Sequence, residues 1–345
     1  MKKILVTGGA GYIGSHMVVE LVKAGYTPIV IDNFIASDGS LIPGIEKITG
    51  AKLNFHQGDC CDKDFVTSIF KTQGPIDAVI HFAALKSVGE SVQKPLLYHQ
   101  NNTESLLTML DVMKEFGVKD FIFSSSCTVY GQPDYIPVDE SAPFKKAESP
   151  YGLTKQLCEQ ILEDVYPVGF RVVSLRYFNP IGAHPSALIG ELPIGTPNNL
   201  VPYMTQAAAG LRDKLTVFGN DYETKDGSCI RDFIHVVDVV KAHLIALSFL
   251  NKRTALPAGR QENYLYEAFN VGTGEGVSVL ELIQKFETAT KVKLPYTIGP
   301  RRPGDVVKTY ANPEKANKTL GWKSMISIDD ALLHSWEWQK KLKQF

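Results

Sequence analysis

Gly8-Gly9-Ala10-Gly11-Tyr12-Ile13-Gly14 follows the short run Lys3-Ile4-Leu5-Val6, and behind it Ile13, Met17, Val18, Leu21 and Val22 recur at helical spacing. The reading is a strand, a glycine turn and the start of a helix, the unit that lets backbone approach a pyrophosphate at a helix N-terminus. A second β-branched run, Pro28 to Asp32, ends in a carboxylate twenty-one residues beyond Gly11. A carboxylate there accepts hydrogen bonds from a ribose 2'-OH and repels a 2'-phosphate, so the expected dinucleotide is NAD. No Lys or Arg lies between Lys23 and Lys47 to receive that phosphate.

Outward from this turn the first half alternates apolar strands with helical periodicities, the pattern of a doubly wound parallel sheet of Rossmann type. Expected strands are 3–6, 28–32, 53–57, 78–82, 121–124 and 171–175, and Leu106, Leu107, Leu110 and Met113 mark a helix between two of them. Asp59 follows the third strand and His81-Phe82-Ala83-Ala84 the fourth, where strand ends meet a dinucleotide. The side chain of His81 is expected to be a satisfied buried histidine rather than a ligand. From Asn179 to about Pro202 the chain is rich in Pro, Gly and Asn, which predicts an irregular binding loop. Beyond it come a strand near 215–218, a helix over 236–250, a strand near 268–271, a helix opened by the capping box Ser278-Val279-Leu280-Glu281, and a last helix over 328–341. Residues 251–264 read as a surface insertion without a catalytic role. The expected organisation is a cofactor domain over 1–180, with about 232–250 returning to it, and a smaller mixed α/β substrate domain over 181–345.

Bulk properties exclude several classes. The chain has 345 residues, 36 basic and 37 acidic side chains and a net charge of −1, so no general field favours nucleic acid or an anionic membrane. Five cysteines without C-x-x-C spacing argue against a disulfide framework or a zinc site and for a reducing, cytoplasmic compartment; no metal is expected. No apolar run is long enough to span a bilayer.

Ser149-Pro150-Tyr151-Gly152-Leu153-Thr154-Lys155 carries a capping serine, proline at the first helical position, and Tyr and Lys four apart on one helix face. Using a phenol as base at pH 7 needs a shift of roughly three units, about 4 kcal/mol. One cation about 6 Å away supplies about 3 kcal/mol at an effective dielectric near 20, so Lys155 alone falls short and a positive nicotinamide ring is expected to add the rest. The spacing Y-x-x-x-K occurs by chance in many helices. Here it follows a dinucleotide loop and a strand ending in Ser124-Ser125-Ser126, where a serine hydroxyl at a strand's carboxyl end can bond the reacting hydroxyl.

With these residues placed, the chain resembles the extended short-chain dehydrogenase/reductase superfamily and, within it, the UDP-galactose 4-epimerase family. The resemblance runs nearly end to end, through Thr7 to His16, His81 to Ser91, Phe123 to Ser126, Thr128 to Gly131, Arg176 to Pro185, Pro197 to Leu200, Phe218 to Tyr222 and Arg231 to Val236. It implies reversible NAD-dependent epimerisation at C4 of UDP-galactose and UDP-glucose through a 4-keto sugar, in galactose metabolism, with NAD tightly held. Tyr151 would take the 4-OH proton, Ser126 assist, and Lys155 hold the nicotinamide ribose. Gly8, Gly11, Tyr12, Ile13, Gly14, Asp32, Asn33, Asp59, Cys60, Phe82, Ala83, Lys86, Asn101 and Phe178 would border the cofactor. Lys86, Asn179, Asn199, Leu200, Phe218, Arg231, Arg302, Asp305 and Thr309 would border the UDP-sugar. The resemblance also implies a homodimer packed through helices near 95–116 and 151–165.

Two positions depart from the family pattern. Ala84 stands where bacterial members commonly have glycine, and Thr309 stands at a gate where some members carry tyrosine, which suggests room for an N-acetyl group and so for UDP-N-acetylglucosamine. Trp336 and Trp338 are expected in core packing. The rival reading is a nucleotide-sugar 4,6-dehydratase, whose Asp-Glu pair would fall on Cys127-Thr128 and is missing. A plain NAD-linked alcohol dehydrogenase would not need the uridine-site motifs. A catalytically inactive NAD or nucleotide-sugar sensor would not need Ser126, Tyr151 and Lys155.

Overall fold

The structure is a computed structural model that describes residues 1–254, 264–302 and 305–342, so most of the expected surface insertion lies outside the described residues. The first half runs β1 (Lys3–Thr7), α1 (Tyr12–Lys23), β2 (Thr27–Asp32), α2 (Ile42–Thr49), β3 (Asn54–Gln57), α3 (Lys63–Gln73), β4 (Ala78–His81), α4 (Val88–Gln93), α5 (Pro95–Glu115), β5 (Asp120–Ser126), α6 (Pro150–Val165) and β6 (Arg171–Tyr177). The second half adds β7 (Asn179–Ile181), α7 (Leu200–Ala208), β8 (Leu215–Phe218), β9 (Ile230–Arg231), β10 (Phe233–His235), α8 (Val236–Thr254), β11 (Leu265–Val271), β12 (Val277–Ser278), α9 (Val279–Thr290), β13 (Tyr296–Gly299), β14 (Lys308–Thr309), α10 (Glu314–Leu320) and α11 (Ile328–Leu342).

Seven strands form one parallel sheet in the order β11-β6-β5-β4-β1-β2-β3. The central strands β1, β2 and β4 are covered on both faces, so Ile4–Val6, Ile29–Ile31 and Ala78–Ile80 are buried and apolar without interruption, and successive side chains feed two different cores. Ile4, Val6, Val30, Ile80 and Ile122 pack with Met17, Val18 and Leu21 of α1 and Val239, Ala242 and Ala246 of α8. Leu5, Ile29, Ile31, Val79 and Phe121 pack with Val66 of α3, Met109 of α5 and Leu162 of α6. The strand order reverses at β1, which pairs with both β2 and β4; the crevice beyond their carboxyl ends is where such sheets bind ligands. A separate apolar cluster joins Met204 of α7, Val217 of β8, Leu282 and Phe286 of α9 and Leu332 of α11. Trp336 packs edge-on to Phe286 and Trp338 lies against the first core, as expected of packing residues.

The structure corrects the sequence reading in two places. The segment 179–202 is not irregular throughout: it begins with β7, parallel to β10, and ends in α7. A three-residue strand containing Pro180 has no periodicity to read, and its partner lies more than fifty residues away. Leu107, one of the residues that marked a helix here, is exposed on α5. The fifth strand runs on to Ser126, so all three serines stand in the sheet.

Candidate active site

The glycine loop is closed by its own backbone. Gly11 N donates to the Gly8 carbonyl at 3.1 Å, and Gly8 N donates to the Ile31 carbonyl at 2.8 Å. A Cβ on Gly14 would lie 2.2 Å from the Gly8 carbonyl oxygen, and one on Gly8, whose φ is +66°, would lie 2.9 Å from the Ala83 nitrogen. Only glycine lets the start of α1 and the loop after β4 come this close. Asp32, at the end of β2, accepts from Ala10 N at 3.0 Å, Phe34 N at 2.9 Å and the Ser37 hydroxyl at 3.1 Å. A carboxylate has about four acceptor positions, so one remains for a ribose hydroxyl.

Around this loop, Asn33 Nδ2 donates to Asp59 at 3.1 Å, and Ala83 N donates to the Thr7 hydroxyl at 3.2 Å. His81 shares that hydroxyl through Nδ1 at 2.9 Å and is satisfied, as expected. The Phe82 ring lies 4.8 Å from the His243 ring. Cys60 places its side chain in the apolar core, where burial pushes its thiol far above the ordinary range. Asn101 Nδ2 donates to Asn102 Oδ1 at 3.0 Å. Phe178 is buried with Val129 and Tyr130. Ile13 packs against the core that α1 covers.

Ser126 ends β5, and its hydroxyl accepts from Thr128 N at 3.3 Å. Ser149 caps α6 by accepting from Gly152 N at 3.1 Å, with Pro150 as the first helical residue, and this fixes where Tyr151 and Lys155 emerge. Burial raises the Tyr151 phenol above its ordinary value, and a hydrogen bond with Ser126 opposes that rise. The Lys155 ammonium donates to the Ser124 carbonyl at 2.6 Å and lies 4.7 Å from the Phe123 ring centre. Burial lowers its pKa to about 8. In the protein alone the Tyr151 phenol is therefore a weaker acid than free tyrosine and its phenolate is scarcer at pH 7, so the gap left for a bound positive charge is wider than the sequence arithmetic implies.

A second group gathers further along the crevice. Asp305 accepts from Arg302 at 2.7 Å and lies 3.6 Å from the Arg231 guanidinium. Arg302 also covers the Phe218 ring at 5.5 Å. Thr309 pairs with Arg231 in the register of β14 with β9. Asn179 Oδ1 is buried with no partner among the described residues, an acceptor for which a ligand donor would account. Asn199 begins α7 at its N-cap, Leu200 is the first helical residue, and Asn199 Nδ2 donates to Glu191 at 2.6 Å. Cys127 joins the two groups: burial pushes its thiol up to about 12, while the charge of Arg231 and a hydrogen bond with Ser126 pull it down. Lys86 reaches across from the β4 side to Glu191 at 3.4 Å, and the Tyr12 hydroxyl donates to the Gly182 carbonyl at 2.6 Å.

Sequence reading missed three groups that hold this geometry. Asn102 is buried and bonds Leu85 N at 2.8 Å, Leu85 O at 3.0 Å and the Thr154 hydroxyl at 3.0 Å, tying the loop after β4 to the Tyr151 helix. Glu159, one turn beyond Lys155, is fully buried and receives Arg176 NH2 at 2.6 Å, the Tyr266 hydroxyl at 2.8 Å and the Ser125 hydroxyl. Glu191 is the third.

The family described as GDP-mannose 4,6 dehydratase matches residues 5–334. The UDP-glucose 4-epimerase of Dictyostelium discoideum is 48% identical over 339 residues, covering 98% of this chain and 95% of that protein. That of Bacillus subtilis (strain 168) is 46% identical over 338 residues, covering 97% and 96%. Among solved structures, the UDP-glucose-4-epimerase of Stenotrophomonas maltophila, with bound NAD and formylated UDP-arabinopyranose, superposes with a TM-score of 0.93 at 45% identity over 100% of this chain and 99% of that one. The enzyme of Bifidobacterium longum, in complex with NAD+ and UDP, gives 0.92 at 44% identity over 99% and 98%. This chain sets a glycine loop at the reversal of a parallel sheet, Ser126, Tyr151 and Lys155 about the end of β5 and two arginines beyond them, and, matched over nearly its whole length by these relatives, it belongs to the UDP-glucose 4-epimerase family of the extended short-chain dehydrogenase/reductases.

Proposed function

We propose that the chain is an NAD-dependent epimerase that interconverts UDP-galactose and UDP-glucose at C4 through a 4-keto sugar, in galactose metabolism. The observation that carries the reading is the placement of Ser126, Tyr151 and Lys155 at the end of β5 with Arg231 and Arg302 beyond them. A dehydratase is disfavoured, although the matching family carries that description, because Cys127-Thr128 supplies neither an acid nor a base.

The residues fit NAD. Gly8, Gly9 and Gly14 have no space for a Cβ against Ala83, Val30 and the Gly8 carbonyl, so the turn brings bare backbone to the N-terminus of α1, where a pyrophosphate binds, and Asp32 retains acceptor capacity for a 2'-OH. Bound NAD supplies the acceptor and donor of a hydride at the sugar's C4. Tyr151 takes the 4-OH proton at its phenol oxygen and later returns it. The Ser126 hydroxyl steadies the phenolate, and the Lys155 ammonium favours that charge. Arg231 and Arg302 grip the diphosphate, since guanidinium forks pair phosphate oxygens bidentately, and Phe218 offers an exposed ring to the uracil. Thr309, beside Arg231, leaves space that also admits an N-acetylated sugar.

Residues 1–180 with 232–250 serve as the cofactor domain, a division supported by the packing of α8 on α1, and 181–345 otherwise serve the nucleotide sugar. A homodimer is supported by exposed Leu96, Leu97 and Leu107 on α5 and Leu153 on α6, two helices packed side by side. A cytoplasmic location is supported by five free thiols, and no helix among the described residues is long and apolar enough to cross a membrane.

The test is incubation of purified protein with UDP-galactose and no added NAD, followed by nucleotide-sugar chromatography and the spectrum of the released cofactor. Conversion to UDP-glucose with NAD recovered from the protein is expected. No conversion even with added NAD would overturn the reading.

A further inference from the structure

The chain from Ala183 to Gly190 folds back on itself. His184 N donates to the Ile189 carbonyl at 3.0 Å, and Ala183 bridges Gly190 in antiparallel fashion. Gly190 then lies flat against Trp338, where a Cβ would come within 2.5 Å of the ring, and the Trp338 indole donates to the Glu191 carbonyl at 2.9 Å. The backbone at Gly190 and Glu191 is thus held by the bridge to Ala183 and by Trp338. Such a clamp holds a functional side chain in place before any ligand arrives.

The Glu191 side chain is 12% exposed and serves two groups at once. It accepts from Asn199 Nδ2 at 2.6 Å and from Lys86 Nζ at 3.4 Å. A carboxylate only accepts, so the Asn199 amide is fixed with its nitrogen toward Glu191 and its oxygen turned to other donors. Lys86, on the loop after β4, is held 5.8 Å from the Tyr12 ring at the mouth of the glycine loop. Asn198 reinforces the crossing by donating to the Ser87 hydroxyl at 3.1 Å.

We infer that Glu191 is a positioning residue for the nucleotide sugar, setting the Asn199 amide and the Lys86 ammonium from one fixed carboxylate that bridges the two sides of the crevice. The inference rests on the reading of this crevice as a UDP-sugar site. Glu191 touches neither the reacting carbon nor the transferred proton. Its loss therefore weakens binding more than it slows turnover.

The experiment compares wild type, Glu191→Gln and Glu191→Ala, each with its resident cofactor, by calorimetric titration with UDP, by KM and kcat for UDP-galactose, and by thermal melting. Losing one charge-assisted hydrogen bond to a ligand-holding group corresponds to about a tenfold change in affinity. Glu191→Ala is expected to weaken UDP and raise KM by about that factor with kcat changed less than about threefold. Glu191→Gln keeps an acceptor for Asn199 but no charge for Lys86, and is expected to fall between. Unchanged UDP affinity and KM in Glu191→Ala, whether or not its melting temperature drops, would overturn the inference and leave the epimerase intact. A kcat loss that exceeds the KM change would also overturn it. Wild type that binds UDP without turning over UDP-galactose would remove the epimerase reading while the titrations still decide the role of Glu191; wild type that binds no UDP would remove both.

Discussion

The Lys155 ammonium donates to the Ser124 carbonyl at 2.6 Å while lying 6.0 Å from the centre of the Tyr151 ring. It is 3% exposed, and burial lowers its pKa from 10.5 to about 8. Between those values the unfolded chain holds a proton that the folded protein has lost. The cost of burying the charge is therefore fully present below about pH 8 and is relieved as pH rises toward 10.5, at most about 3 kcal/mol. We predict that Lys155→Met loses at least about a hundredfold in turnover, yet gains about 2 kcal/mol of stability at pH 7 after the Ser124 carbonyl loses its partner. Denaturant melts at pH 7 and pH 9.5 check this: the gain should shrink at the higher pH. A less stable variant at pH 7 would show that the ammonium contributes more to the fold than burial takes away.

Four other buried groups set the acid limit. His16, His81 and His235 have pKa values lowered to about 3, and His243 to about 4, in each case chiefly by burial. Neighbouring charge adds to this: Lys155 faces His81, and His184, His334 and Lys241 face His235. As pH falls below 6.5 the unfolded chain takes protons that the folded one refuses, so stability is lost as pH falls from about 6.5 toward 4. Each contributes up to about 1.4 kcal/mol per pH unit, and four together outrun an ordinary stability of about 5–15 kcal/mol within roughly one to three units. Circular dichroism during acid titration should show cooperative unfolding well above pH 3.5. A protein still folded there would mean that these imidazoles take protons without unfolding it.

What was legible in the sequence had short-range causes. The glycine turn and the Ser149-to-Lys155 run are marked by residue types within one or two helical turns, and Asp32 by its place at the end of a β-branched run, although the turn and Asp32 also bond across the fold to Ile31 and Ala10. Their spacing therefore survives in one dimension. Asn102, Glu159 and Glu191 do not: their partners are Thr154, Arg176 and Lys86, far away in sequence, and a buried polar residue bonded across the fold looks like any surface residue until the fold is known. The pairing of Thr309 with Arg231 is similar. Two-residue strands carry no alternation, so only the resemblance drew attention to Thr309.

The exposed leucines bear on assembly. Leu96 is 76% exposed, Leu107 49% and Leu153 39%, on α5 and α6, which pack against one another and leave one shared face uncovered. A stable interface buries about 1,200–2,000 Å² in total, which two helices from each of two copies can supply. The chain is expected to run as a dimer in light scattering at working concentration. Leu96→Asp with Leu153→Asp should yield a folded monomer, because each introduced carboxylate would be buried without a partner. A monomeric wild type would refute the dimer.

Thr309 is half-buried and sits opposite Arg231 in the β14–β9 register, at the arginine that would hold the sugar's diphosphate. On the proposal that Thr309 borders the sugar, a tyrosine here adds a ring where an N-acetyl group would have to fit. We therefore predict that wild type turns over UDP-N-acetylglucosamine as well as UDP-galactose. Thr309→Tyr should lose at least about tenfold in kcat/KM for the N-acetylated sugar while changing less than about threefold for UDP-galactose, since a group the size of acetyl has nowhere else to go in a rigid pocket. Coupled assays with both sugars at saturating concentration decide it. Wild type that converts UDP-galactose but leaves UDP-N-acetylglucosamine untouched would show that Thr309 is not the residue that sets the size of the chamber.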